Sequence, residues 1–408
     1  MGNSGHPTAA RPAPPVGTLS RRALLGGGLA AWFLPGAAPS LARALFGARS
    51  DAVFLGALPF LREGDLWVDV AGPDERRFGS GLGGRKIFDL ETLAAGALDV
   101  PSSRFFLRTF RPDDLGEAAT WSVRLQGLVR RPAEIPIAEL IQRARPRGSV
   151  LLECSGNSGE HRFGLISAAP WDGVPVEDVL ARCESLPEAR AIEIVGDDSH
   201  VMPSLTSMPG ASWIFTREQL RERSAFLATG MNGERLMRDH GAPVRLVVPG
   251  WYGCACIKWV RELRLLPGDV RPSSQMREFA ARTHQDGVPE LALDFAPAAV
   301  DPAAMPVRVE AWRRRDGVSL AIVGVAWGEA PAGTPAPRRW SIRCGELPWQ
   351  PIARFVSRPV AHGWRLWRHT LHRVPPGELA MRLRVDDAAV RTRRLARGYY
   401  TRTVEVPA

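Results

Sequence analysis

An α+β fold is predicted by three features of the chain. Apolar, β-prone runs at 150–152, 191–195 and 244–248 read as buried strands. Helical stretches stand between strands without the repeating βαβ order of a doubly wound sheet. From Pro306 the pattern changes to short alternating runs divided by Gly or Pro, which predicts an antiparallel sandwich of about a hundred residues.

A chain of 408 residues with 45% hydrophobic and 24% charged residues builds two or three globular domains rather than a disordered polymer. The formal charge is +10, and the first 44 residues contribute four arginines, at 11, 21, 22 and 43, with no acidic residue. Elsewhere the basic residues are spread without a long run, which fits a solvated basic surface rather than a nucleic-acid patch. The five cysteines, at 154, 183, 254, 256 and 344, form no CxxC pair and no zinc-like spacing, which argues against a disulfide framework. Cys254 and Cys256 read as small residues of a tight segment.

Thr18-Leu19-Ser20-Arg21-Arg22 opens an apolar run to Leu34, and Ala42-Arg43-Ala44 offers small residues for cleavage. This is similar to a twin-arginine export signal and predicts a periplasmic protein. The run is shorter than the roughly 20 residues that span a bilayer, so an uncleaved anchor is the weaker alternative. The expected organisation is a signal peptide at 1–44, a catalytic domain at 45–270, a Pro/Ala-rich linker at 271–305 and a β domain at 306–408.

Within the catalytic region, Phe105 to Phe110 puts Arg108 in an apolar run, either facing a cavity or pointing outward from a surface strand. Trp121 to Val129 alternates as a half-exposed strand, and Ile137 to Ala144 reads as a short helix. Leu151-Leu152-Glu153-Cys154-Ser155-Gly156-Asn157 ends a buried strand in a sharp turn, leaving the Cys154 thiol at its tip. Such a cysteine is either a small core residue or a ligand. Asp172-Gly173 reads as a turn, and Pro175 starts a helix running to about Cys183. The strand at 191–195 ends in a polar loop holding Asp198 and His200. Met231-Asn232-Gly233-Glu234 reads as a hairpin turn. His240 and Arg245 stand at the entrance of the strand at 244–248, with Lys258 further on. Three ordinary surface cations are one reading. A site for a phosphate-bearing ligand is the other, because Arg grips phosphate bidentately, and Gly250 and Gly253 let backbone amides approach.

Taken together, Cys154 with Gly156 and Asn157, Trp171-Asp172-Gly173-Val174, Met231-Asn232-Gly233 and the stretch 239–259 resemble the molybdenum domain of the sulfite oxidase family. The resemblance implies a molybdopterin domain followed by an immunoglobulin-like β-sandwich of the kind that pairs two subunits. It implies that Cys154 supplies a thiolate to molybdenum, which suits a metal that changes oxidation state during oxygen-atom transfer. His240, Arg245, Cys256, Ile257 and Lys258 would contact the pterin and its phosphate, with Asn157 and Asp198 as further cofactor contacts. Arg108 matches the arginine that helps to hold an oxyanion substrate near the metal. No Cys-x-x-Cys-His haem motif and no preceding cytochrome domain is seen, so electrons are expected to pass to a separate partner such as a c-type cytochrome.

The departures from the family pattern are local. Thr109-Phe110 stand where sulfite-oxidising members carry Asn-His, and Pro209 where they carry a tyrosine. Ser158 and Gly159 replace two arginines, leaving His161 or Arg162 as stand-ins. A pocket rebuilt for something less anionic or larger than sulfite follows, within a substrate class of sulfur oxyanions or related small molecules. A sulfoxide-type reductase with the same cofactor is one alternative, and a cofactor-free periplasmic binding or scaffold protein another. In the C-terminal region, runs at 307–312, 319–327, 340–344, 363–371 and 379–385 are the expected strands. Trp312, Trp327, Trp340, Trp364 and Trp367 are their core residues; a stand-alone binding module is the alternative. Arg391 to Tyr400 departs from the family's usual ending, which leaves a homodimer open.

Overall fold

Val150, Leu151, Leu152 and Glu153 are all buried, so the strand that delivers Cys154 is covered to its last residue. In the computed structural model, the structure describes residues 52–64, 84–109, 112, 115–197, 211–277, 279, 299–328, 339–358, 362–390 and 392–408. These belong to one compact unit spanning Asp51–Ala408. The signal-like segment at 1–44, Phe110, Asp198, His200, Pro209 and most of the expected linker lie outside the described residues.

The first strands are β1 (Val53–Ala57), β2 (Gly84–Lys86), β3 (Leu107–Thr109), β4 (Ser122–Gly127), β5 (Ala133–Pro136), β6 (Arg145–Glu153) and β7 (Ile166–Pro175). They are followed by β8 (Ala191–Gly196), β9 (Ser212–Thr216), β10 (Phe226–Met231), β11 (Glu234–Arg235), β12 (Arg245–Val247) and β13 (Val260–Leu266). The C-terminal strands are β14 (Ala303–Arg314), β15 (Gly317–Trp327), β16 (Trp340–Cys344), β17 (Gln350–Pro351), β18 (Arg354–Phe355), β19 (Trp364–Val374), β20 (Gly377–Val385) and β21 (Arg402–Val406). Short helices α1 (Ile137–Arg143), α2 (Val176–Leu180), α3 (Arg217–Glu222) and α4 (Arg393–Ala396) sit at strand ends, so the architecture is dominated by strands.

Two sheets carry the region of the cysteine. In one, β6 pairs antiparallel with β7, β10 extends β7, and β11 and β12 both join β10. Every residue of β10 is buried, as expected of a strand covered on both faces. Asn232 and Gly233 both take positive φ, at 57° and 75°, which gives the β10–β11 hairpin the twist of its strands. The second sheet has the order β5-β4-β13-β8-β9, with β13 parallel to β4. In β4, Val123 and Leu125 are buried while Arg124 between them is exposed, the period-2 pattern legible in the sequence. A separate two-stranded ribbon pairs β2 with β3.

Asp172-Gly173 corrects one expectation: the pair lies within β7 rather than in a turn. Gly173 pairs with Arg145 on one side and Ala228 on the other. A Cβ on Gly173 would approach the Leu227 carbonyl to 2.5 Å, so the glycine serves close strand packing. The following helix starts after Pro175 but ends at Leu180, three residues earlier than Cys183.

The C-terminal region holds a five-stranded sheet, β1-β14-β15-β19-β18, and a four-stranded sheet, β17-β16-β20-β21. The strand β1 opens the segment read as catalytic, yet it pairs with β14 at the edge of this later sheet. Residues 303–305, at the end of the expected linker, already belong to β14. Trp312, Trp327, Trp340, Trp364 and Trp367 are all buried. Gly324 leaves no room for a Cβ against the Trp367 ring, which is 0% exposed and fills that space.

Candidate active site

The loop after β6 is closed by its own backbone. The Cys154 N–H donates to Leu165 O at 2.9 Å, and the Asn157 N–H donates to Cys154 O at 2.9 Å. Asn157 is buried and fully used in shaping this loop: its Oδ1 accepts from Leu165 N–H at 3.0 Å and its Nδ2 donates to Glu153 Oε1 at 3.2 Å. The Cys154 thiol is partly exposed, whereas Glu153 and Ser155 on either side are buried.

Both flanks of Cys154 are held from the far end of the chain. The Glu153 carboxylate accepts from Tyr400 Oη–H at 2.9 Å and from Trp327 Nε1–H at 2.9 Å, and Arg394 lies at 3.6 Å. Arg394 donates to the Ser155 carbonyl, and the Tyr399 hydroxyl donates to Asn157 O at 2.6 Å. A buried carboxylate with this many donors is compensated by charge and hydrogen bonding together. The backbone that carries the thiol is therefore fixed before and after the cysteine.

A second cluster forms around Arg245, which sequence reasoning put at a strand entrance and which is in fact buried. Its Nη1 donates to His240 O at 2.9 Å and its Nη2 to Cys256 O at 3.1 Å, and its plane lies 5.4 Å from the Trp171 ring. The Nε of Arg245 has no hydrogen-bond partner, and among the described residues no carboxylate pairs with this guanidinium. Burial lowers its pKa to about 10, a mark of an uncompensated charge. Gly241, at φ 106°, lets the cluster converge: a Cβ there would lie 3.0 Å from Arg245 Cβ and 3.1 Å from Lys258 Cβ. Lys258 Nζ donates to Asp239 O at 2.6 Å and to Arg108 O at 3.4 Å, tying the ribbon strand β3 to the cationic loop.

His240 is buried edge-on against Phe105, with Nε2 3.0 Å from Ser102 O. Burial, followed by the fields of Lys258, Arg245 and Lys86, pushes its pKa down to about 3, so the ring is neutral. Because a carbonyl only accepts, Nε2 carries the hydrogen and Nδ1 is an acceptor. Lys86, whose ammonium donates to Ser103 O, is a member of this cluster that sequence reasoning missed. Its signal was weak, a lone lysine beside Gly84.

One turn bridges the thiol and the cations. Gly253–Ala255 form a single 3₁₀ turn, and a Cβ on Gly253 would lie 3.5 Å from Glu153 O. Cys254 on this turn is raised in pKa by burial, then by the nearby Cys154 thiol. Two residues on, the Cys256 carbonyl holds Arg245. The side chains of Cys256 and Ile257 face the core: Cys256 Sγ accepts from Val248 N–H at 3.4 Å, and Ile257 is buried. What this segment turns toward the cation cluster is backbone. Cys254, read as a small residue of a tight segment, stands beside the partly exposed Cys154. Arg108 lies on β3 directly opposite Arg85 on β2.

Residues 111–273, which contain Cys154, His240, Arg245 and Lys258, match the family model described as oxidoreductase molybdopterin binding domain. Sulfite oxidase of Gallus gallus is 27% identical over 337 residues, covering 75% of this chain and 71% of that protein. The mitochondrial sulfite oxidase of Homo sapiens is 30% identical over 293 residues, covering 66% of this chain and 52% of that protein. The chain belongs to the sulfite oxidase family of molybdenum-dependent oxidoreductases. Nitrate reductase [NAD(P)H] of Betula pendula is 31% identical over 178 residues, which is 40% of this chain but only 20% of that protein. The solved sulfane dehydrogenase SoxCD of Paracoccus pantotrophus shares the fold, with a TM-score of 0.58 over 81% of this chain and 88% of that one, at 19% identity.

The cofactor of the sulfite oxidase family is a molybdenum-bearing molybdopterin, and the residues of this chain fit it. A buried guanidinium with an orphaned Nε, flanked by Lys258 and a neutral His240, is a cradle for a phosphate-bearing anion. A partly exposed thiol on a braced loop suits a soft metal.

Proposed function

We propose that the chain is an exported molybdopterin oxidoreductase that performs oxygen-atom transfer on a small sulfur oxyanion, with Cys154 as the metal's protein ligand. The observation that carries this reading is the pairing of the braced, partly exposed Cys154 with the buried Arg245, which has no carboxylate partner among the described residues, joined through the turn Gly253–Ala255. Arg245 and Lys258 would hold the phosphate of the pterin, and His240 Nδ1 would offer an acceptor to an N–H of the cofactor. Asn157 shapes the loop, and Cys256 and Ile257 contribute backbone. The cofactor, when bound, supplies two-electron oxygen-atom chemistry. Arg108 would orient the oxyanion, its strand tied to the cation cluster through Lys258. Electrons would pass to a separate carrier such as a c-type cytochrome.

The pattern Thr18-Leu19-Ser20-Arg21-Arg22 supports twin-arginine export to the periplasm, a route that carries folded proteins with cofactors already inserted. The two antiparallel C-terminal sheets support an immunoglobulin-like sandwich, and a homodimer built on it is tested by sedimentation.

Metal analysis of protein matured in cells that make the cofactor tests the central reading. Near-stoichiometric molybdenum, lost on Cys154→Ser while the variant stays folded, is expected. Absence of molybdenum from the parent, or its full retention by the variant, overturns it.

A further inference from the structure

We propose that Arg85, Arg108 and His161 form an oxyanion-binding wall of the substrate site, with Arg85 as its specificity-determining residue; this rests on the reading of Cys154 as the metal ligand. In the β2–β3 ribbon, Arg85 is paired directly with Arg108. Directly opposite residues of an antiparallel pair project from one face, with Cβ atoms about 5 Å apart. Lys86 and Leu107, the next pair, project from the other face. The ribbon thus separates two sets of charge, Lys86 on the side of His240 and the two arginines on the other.

The ribbon leads directly into a segment bound to the cysteine loop. The Phe88 N–H donates to Gly164 O at 2.8 Å, and the Gly164 N–H donates to His161 O at 2.8 Å. Gly164 packs so closely on Phe88 and Ile87 that no Cβ fits. His161 therefore rides on the segment Arg85 leads into, in the same loop that Cys154 opens. Its imidazole is held toward the neutral form by burial, then by Arg85 and, more weakly, Arg108, against the opposing field of the adjacent Glu160. Both guanidinium groups are close enough to the ring to be felt.

Like charges directly opposite each other on a ribbon are destabilising, and an anion bound at the pair offsets this. Arg85 Nε is buried without a hydrogen-bond partner, and Arg85 makes no ion pair among the described residues. The neighbouring Arg162 is committed elsewhere: its φ of 50° turns it toward Glu91, at 3.4 Å, and Glu63, at 3.9 Å. Of the two stand-ins for the replaced arginines, His161 is the one beside the Arg85–Arg108 pair. A small oxyanion of sulfur, with several acceptor oxygens and a net negative charge, satisfies this arrangement, since a guanidinium fork grips such a group bidentately and a neutral imidazole adds one donor.

The test uses sulfate, an unreactive oxyanion of the right shape, on the full chain in metal-loaded and metal-free forms. Calorimetry should show sulfate binding to the parent in both forms. Arg85→Gln should weaken binding by roughly tenfold or more. Arg85→Lys, which keeps the charge and not the fork, should fall between them. Molybdenum content of the metal-loaded variants should equal that of the parent. Sulfate affinity unchanged within error in Arg85→Gln, or no sulfate binding to the parent, overturns the proposal. A parent without molybdenum would instead sink the reading of Cys154 while the metal-free titration still decides the role of Arg85.

Discussion

The hydroxyl of Tyr400 donates to Glu153 Oε1 at 2.9 Å, joining residues 247 positions apart at the point where the chain turns into Cys154. Arg394 and Tyr399, from the same terminal segment, hold the carbonyls of Ser155 and Asn157. The segment that departs from the family's usual ending is therefore the outer support of the thiol loop.

Glu153→Ala removes the buried counter-charge of Arg394 and leaves Trp327 Nε1–H and Tyr400 Oη–H without their acceptor. A loss of about 3–5 kcal/mol is expected, the cost of breaking a buried pair from one side. Tyr400→Phe, which removes one donor and keeps the ring, should cost about 1–2 kcal/mol. Urea unfolding of the metal-free protein measures both. Equal effects of the two substitutions would mean that Glu153 is not the hub of this network.

Gly241→Ala places a methyl group at 3.0 Å from Arg245 Cβ and 3.1 Å from Lys258 Cβ, on a backbone with φ of 106°. Strain and crowding together should lower stability by about 1–3 kcal/mol. Molybdopterin content should fall as well, because Arg245 and Lys258 cannot both keep their positions. Fluorescence of the oxidised pterin released from purified protein reads this directly, and full pterin content in the variant would refute it.

The pH dependence of the metal-free protein follows from His240, whose folded pKa is depressed to about 3 from an ordinary 6.5. Its neutral form is what the fold accommodates. Stability from this group is intact above pH 6.5 and is lost as pH falls toward 3, because only the unfolded chain takes up the proton in that window. Lys258, Arg245 and Lys86 face the ring and oppose its protonation, while the Ser102 carbonyl favours it. The slope contributed is at most about 1.4 kcal/mol per pH unit. His240→Gln should flatten the fall in urea midpoint between pH 6.5 and pH 4; an unchanged slope would show that other groups govern it.

Local pattern was enough for most elements. The apolar run before Cys154, the alternation around Val123 and Leu125 and the Asn232-Gly233 turn each stand where their residue types put them. These features depend on neighbours in the chain. Asp172-Gly173 was misread because the same dipeptide serves a turn or a close strand contact, and only Leu227 on the adjacent strand distinguishes them. The pairing of β1 with β14 was invisible for a similar reason: an edge strand bears no mark of a partner some 250 residues away.

The chain's own pattern determined the strand that ends at Cys154, the glycine at 241 and the family to which the molybdopterin domain belongs, since each is carried by residue type and spacing. Tertiary structure alone decided that Arg245 is buried with no carboxylate partner among the described residues, that Arg85 pairs with Arg108, and that Tyr400 reaches Glu153. Burial and charge pairing are set by which distant surfaces meet, and a one-dimensional pattern does not encode the register of that meeting.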